Sequence, residues 1–354
     1  MARLWSLLAI LPAIRLSTAQ LFTVNCAPLT IQRGDPIASP GQISPHVHVV
    51  VGGTAFQLTQ SNDQAVLANA TTCDKVLDNS NYWQPQLYHQ RRDGRFELVR
   101  MQGIVSRPFL YDGDRNKEAA TDRGQAAYYI DRACDYRPAR QNCDGTPTAK
   151  APPAGLRMVV GTPSRRSAAT STNKEHRAIQ HVCLQSSNSS ESYTLPGEKC
   201  VRMRAETFFP SCWDGWNVDS ADHKSHMAFP AIGEFNTGVC PQSHPVAILS
   251  VFYEFFYDTD AIQDFNRLVW AMGDATGYGL HGDYLQGWTE QGRLERAVET
   301  CTGPNGVDDL GCSLNVGPNG PGVAAPRLPE VAPPREEVGE SGALERLPGD
   351  NPVQ

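Results

Sequence analysis

The chain has 354 residues and carries 31 lysines and arginines against 38 acids, a formal net charge of −7. That balance, with no basic stripe along the sequence, excludes a nucleic-acid surface, which needs clustered cations to displace counterions. Ten cysteines and 40% hydrophobic residues point instead to a cross-linked, packed core.

Residues 1–19 read as a secretory leader. Arg3 supplies the charged start, residues 4–14 the apolar run, and Ser17, Thr18 and Ala19 the small cleavage positions. The run is too short to span a bilayer, and Pro12 interrupts it. The mature chain is expected to begin at Gln20, in a secreted, extracellular, soluble protein with no membrane span and no apolar tail for a lipid anchor. The compact part is expected over residues 20–312 as one β-rich domain.

The first segment with chemical content is SPHVHVVVGG at residues 44–53. On a strand, His46 and His48 share a face while Val47, Val49 and Val51 pack behind them. That arrangement suits a copper or zinc chelate, a proton-transfer pair, or two histidines in structural hydrogen bonds. Asn69-Ala70-Thr71 is a glycosylation acceptor, as is Asn188-Ser189-Ser190 further on. A hairpin is predicted from Leu87-Tyr88-His89 through Arg92-Asp93-Gly94 into residues 95–101, because Asp-Gly accepts positive φ. Residues 112–124 and 164–175 read as polar insertions. Short strands are predicted at 156–160 and 178–184. Val201, Met203 and Ala205 alternate with Arg202, Arg204 and Glu206, the pattern of a half-buried strand.

Residues 208–244 then crowd two cysteines, two tryptophans and three histidines together. Within them Asp219-Ser220-Ala221-Asp222-His223-Lys224-Ser225-His226 places His223 and His226 close, with Asp219 or Asp222 able to orient an imidazole. The same run reads equally as a polar loop stapled by Cys212 and Cys240. Residues 247–257 are nearly all apolar, a central strand. A helix is predicted over 260–269 and another over 291–301. Between them lies the glycine-rich run 273–288, where Tyr278, His281, Asp283, Tyr284 and Trp288 supply polar and flat surfaces. Trp213, Trp216, Tyr278 and Trp288 are candidates for stacking on sugar rings, or else pieces of the core. Residues 313–354 hold eight prolines and no aromatic residue, and are predicted to be a disordered tail.

The fold class implied is mainly β: a two-sheet sandwich with long disulfide-linked loops and two or three short helices. The ten cysteines, Cys26, Cys73, Cys134, Cys143, Cys183, Cys200, Cys212, Cys240, Cys301 and Cys312, are all expected in disulfides. The short loop from Cys134 to Cys143 is the safest local pair, and Cys301 with Cys312 is the next.

The segments SPHVHVVVGG, NYWQPQLYH, SCWDGWNVDSADHKSHMAFP, CPQSHP and GDATGYGLHGDYLQGW occur in one order. In that order the chain resembles a large family of secreted fungal and bacterial proteins classed as a domain of unknown function. Its fungal members often carry a C-terminal WSC carbohydrate-binding module, whereas this chain ends in a proline-rich segment. The resemblance spans roughly residues 35–301. It implies that His46, His48, Cys212, Trp213, Asp214, Asp219, Ser220, His223, Ser225, His226, Cys240, Pro241, His244, His281, Gly282 and Asp283 belong to the family pattern, and it implies no activity.

Two functions fit these residues. One is an extracellular enzyme acting on polysaccharide of a cell wall or plant. Its metal ligands would come from His46, His48, His223, His226, His244 and His281, and its acids from Asp219 or Asp283. A divalent transition metal, copper or zinc, is the cofactor such a set implies. With Gln20 first, an N-terminal histidine brace does not arise. The other is a non-catalytic wall-associated or host-directed binding protein whose rigid aromatic surface those residues support. Either is expected to be a monomer. The two separate on whether the histidines converge in the fold.

Overall fold

Period-two alternation runs through most of the strands, and among the described residues it builds two large antiparallel sheets beside three small three-stranded ones. In the computed structural model, which describes residues 21–102, 125–143, 148–168, 172–302, 307, 309–316 and 324–354, the larger sheet has six strands. Their order is Leu21–Cys26, Gln125–Ile130, Ser250–Asp258, Arg202–Phe208, Ile179–Leu184 and Ser189–Ser192. The smaller has five, in the order Pro28–Gln32, His48–Gly52, Asn81–Pro85, His281–Leu285 and Arg157–Gly161. The proposed leader and the insertion at 112–124 lie outside the described residues.

The two sheets face each other. Met203, Ala205, Tyr129, Tyr253 and Phe255 from the larger share one core with Val49, Val51, Tyr82, Tyr284, Met158 and Val160 from the smaller. A chain of phenols seals the polar atoms this burial would otherwise strand. Tyr82 donates to Asp78, and its hydroxyl lies 2.7 Å from that of Tyr129, which in turn is 3.2 Å from that of Tyr284. Trp288 Nε1 donates to Tyr129 at 3.0 Å. Asp78 is fully buried, and that burial pushes its carboxyl up to about 6.

The expected strands form, and the hairpin turns at Gly94 with φ +88°. The helix expected over 260–269 does not form. Phe265–Arg267 makes a single 3-10 turn, and Leu268–Trp270 becomes a strand paired with Leu87–Gln90. The apolar spacing of Ile262, Phe265 and Val269 that suggested a helix instead serves two cores, with Val269 in one and Ile262 and Phe265 at the other. The last helix, Gln291–Thr300, forms as expected and buries Leu294 and Ala297.

All ten cysteines pair: Cys26–Cys73, Cys134–Cys143, Cys183–Cys200, Cys212–Cys240 and Cys301–Cys312. Asn69 and Asn188 are both exposed. Among the described residues no helix is long and apolar enough to cross a membrane.

The expectation of a disordered tail is corrected. Residues 324–354 run across the domain as a strap. Val338 and Leu347 are 5% and 1% exposed and complete a small core with Val47, Tyr88, Phe96 and Leu98. Leu344 and Phe96 exchange backbone hydrogen bonds at 2.7 and 2.8 Å, and Tyr88 donates to the Val338 carbonyl at 2.7 Å. Arg33 and Glu336 pair at 2.8 Å. A few spaced anchors suffice because prolines restrict the unfolded segment and lower the entropy lost on docking.

Trp288 and Trp216 show how differently the tryptophans are used. Trp288 is 2% exposed in the inter-sheet core, so it is not a stacking platform, whereas Trp216 is 87% exposed. Trp288→Ala is expected to cost about 3–5 kcal/mol in denaturant unfolding. Trp216→Ala should stay within about 0.5 kcal/mol of the parent.

Candidate functional site

The smaller sheet has an outer face as well as an inner one, and the site is built on it. His48 opens its strand and pairs with Pro85, while Asp283 pairs with Trp83 two residues along. The register therefore brings His281 level with Pro85 and His48 across three strands. Alternation keeps His281, Asp283 and Leu285 on one face and sends Tyr284 to the inter-sheet core. The strand of His48 closes at Gly52, where φ is +105° and a Cβ would meet the Ser80 carbonyl at 1.8 Å.

His46 is not on the strand, as the HxH spacing had suggested. It comes from the preceding loop, and Val47 between the two histidines packs into the small core under the strap. The two rings still meet. Ring centres lie 4.4 Å apart for His46 and His48, 5.0 Å for His46 and His281, and 5.8 Å for His48 and His281. One ring nitrogen from each residue lies within 4.8 Å of the other two, and all three rings are buried.

Hydrogen bonds set the tautomers. His281 Nδ1 lies 2.9 Å from the Gly279 carbonyl, which only accepts, so Nδ1 carries the proton and Nε2 presents a lone pair. That Nε2 is 3.1 Å from Nε2 of His46. Either a proton on His46 bridges the two, or a metal ion takes the proton's place. Neither nitrogen of His48 has a hydrogen-bond partner of good geometry among the described residues. Burial holds His48 and His281 down at about 3, with the Gly34 backbone offsetting little of it for His48. Burial, and then the neighbouring His48, keep His46 well below the ordinary imidazole range. Three neutral imidazoles with free lone pairs fit a soft-to-borderline cation. Metal–nitrogen bonds of about 2.0–2.1 Å at a tetrahedral angle would set the nitrogens about 3.3 Å apart, close to the spacing His46 and His281 already have.

Two acids lie close by. Asp283 is 1% exposed, and its Oδ2 has no partner among the described residues. Burial, and then the charge of Asp35, push its carboxyl well above the usual carboxylate range. Asp35 is also raised by burial, although its Oδ1 accepts from the Ile37 and Ala38 amides at 3.0 Å. Asp283 and Asp35 line a cleft of about 630 Å³ together with His46, His281, Lys224 and Arg166. Lys224 is held there by Glu175 and by the Gly161 carbonyl, each at 2.6 Å. Asn351 and Gln354 of the strap complete one wall.

The six histidines therefore divide. His46, His48 and His281 converge; His223, His226 and His244 do not join them. The loop from Asp219 to His226 folds on itself because its own carboxylates and hydroxyls satisfy it locally. His223 Nδ1 meets Asp219 at 2.6 Å, His226 Nδ1 meets Ser220 at 2.8 Å, and Asp222 accepts from the Lys224 and Ser225 amides. His244 bonds outward to the Ser225 carbonyl at 3.0 Å. The loop is tied to the smaller sheet by Val159 N donating to the His223 carbonyl, and it reaches the cleft through Lys224. Asp219 is thus the partner of His223 and not of the converging rings. Trp213 is half-buried with Nε1 donating to Asn217, and Tyr278 is half-buried with Arg165 stacked 5.1 Å from its ring.

Sequence reasoning did not single out Asp35, Arg166, Asn351 or Gln354. Asp35 and Arg166 sit in ordinary polar loops with no spacing to mark them, and the strap residues were masked by composition. Lys224 stood in plain view inside the histidine loop.

No curated protein and no solved structure gives a significant match to this sequence. The family described as a domain of unknown function, DUF1996, matches residues 35–288, a span that holds the three histidines and both acids, and the chain belongs to that family.

Proposed function

We propose that the cleft is a transition-metal centre, copper or zinc, in an extracellular protein that acts on wall polysaccharide. The convergence of His46, His48 and His281 beside the unpaired Asp283 carries this reading. The five disulfides support an oxidising compartment.

The three imidazoles would hold the ion, with Gly279 fixing the orientation of His281. A bound ion would supply a Lewis acid that polarises a substrate or water oxygen. Asp283, whose carboxyl burial pushes well above the usual carboxylate range, is placed to donate a proton to a leaving oxygen inside the cleft. Lys224 and Arg166, paired with Glu175 and Asp274, bring N–H donors to the rim that suit sugar hydroxyls.

Purified protein dialysed against zinc or copper should retain about one equivalent by elemental analysis, and should release sugar from a panel of wall fractions. Asp283→Asn is expected to keep the metal while turnover falls by about 10²–10⁴-fold. Less than about a tenth of an equivalent, with no sugar released, would leave a non-catalytic wall-binding protein as the better account.

A further inference from the structure

A second cleft, of about 640 Å³, opens between the last helix and the Cys212–Trp213 strand. It is lined by different residues from the histidine cleft. One wall is Trp213, whose ring is held in place by its Nε1 donating to the Asn217 carbonyl at 2.6 Å. The opposite wall is the exposed side of the helix Gln291–Thr300. Glu295 and Glu299 stand there one turn apart, while Leu294 and Ala297 turn into the core.

The inner end is Asp131. It is 5% exposed, and its one hydrogen bond among the described residues comes to Oδ1 from the Ala149 amide at 3.3 Å. The other oxygen is left for whatever enters. No ion pair among the described residues involves Asp131, Glu295 or Glu299. Lys150 is the single cation in the lining, so three carboxyl groups face one ammonium.

A flat indole wall with an acidic floor matches one class of ligand. The apolar C–H face of a pyranose stacks on an aromatic ring, and carboxylates take up an ammonium and its neighbouring hydroxyls. We infer that this cleft binds a cationic amino sugar, such as a glucosamine unit of a partly deacetylated wall polymer. Its occupancy does not depend on the histidine centre, so failure of either reading leaves the other standing.

Isothermal titration of the full chain at low salt with a glucosamine tetramer tests it. Saturable binding is expected, at least about tenfold weaker for the N-acetylated tetramer, which lacks the charge, and for spermidine, which lacks the ring. Glu295→Gln with Glu299→Gln changes only exposed side chains and should weaken the glucosamine tetramer by about tenfold or more. Trp213→Ala should do the same, and Trp213→Phe should restore part of the affinity. Equal binding of the acetylated tetramer, equal binding of spermidine, or a Glu295/Glu299 double variant that binds like the parent would each overturn the proposal.

Discussion

Zinc or copper should bind at pH 5 within about threefold of its affinity at pH 7. This follows from burial. An ordinary imidazole, with its pKa near 6.5, is about 97% protonated at pH 5, so each ring of an exposed three-histidine site loses about 30-fold in ligand availability. His48 and His281 are held at about 3, so those two rings stay neutral at pH 5, and burial shifts His46 in the same direction. The sign is that of a depressed imidazole. The unfolded chain binds more protons between pH 3 and 6.5, so stability from these rings is full above about 6.5 and falls as pH falls toward 3. Metal binding should therefore persist until the fold itself begins to lose stability in acid. A fall of several hundredfold between pH 7 and pH 5 would show that the rings are not buried as described. His281→Ala removes one of three ligands and should lower affinity by about 100-fold or more while leaving a folded protein, checked by titration and by thermal melting.

The fold was legible where a single period governed a stretch. Met203 and Ala205 against Arg202 and Arg204 gave away a strand, and the apolar run around Val251 to Tyr257 a central one. Legibility failed where a stretch serves two partners. Ile262, Phe265 and Val269 share the spacing of a helix face, yet Ile262 and Phe265 pack at one core and Val269 in another. The site was half legible. His46, His48 and His281 stood out as residue types in strand-like or glycine-rich surroundings, but so did His223, His226 and His244. What separates the sets is register: Asp283 opposite Trp83 and His48 opposite Pro85 set His48 and His281 in one row, which the loop bearing His46 then joins. Pairing between strands about 200 residues apart is written in no local pattern. The Asp219 loop, by contrast, satisfies its own histidines within a few residues.

Removing residues 324–354 should lower the melting temperature by roughly 5–10 °C and weaken metal binding by about tenfold. Composition alone argues the opposite, because the segment is rich in proline and poor in large apolar side chains. Yet Val338 and Leu347 are nearly fully buried. Each contributes about 1.5–3 kcal/mol, and each kcal/mol moves the midpoint of a chain this size by about 2–4 °C or somewhat less. The effect on the metal follows from position. Val338 and Leu347 close the small core that contains Val47, the residue between His46 and His48. Asn351 donates to the Pro45 carbonyl at 2.9 Å, next to His46, and Gly349 packs so closely that a Cβ there would lie 2.0 Å from the same oxygen. At the far side of the cleft Gln354 exchanges backbone hydrogen bonds with Gly273 and Ala275 at 2.8 and 3.1 Å. The strap thus clamps the loop that delivers His46 while forming one wall of the cleft. Without it, His46 must be ordered at the moment the metal binds, and that entropy comes out of the affinity. Asn351→Ala separates the two effects, since it cuts the tether to Pro45 but leaves Val338 and Leu347 in place. A several-fold loss of metal affinity with a nearly unchanged melting temperature is the expected result. A truncated chain that melts and binds metal as the full chain does would mean that the strap rests on the domain without supporting it.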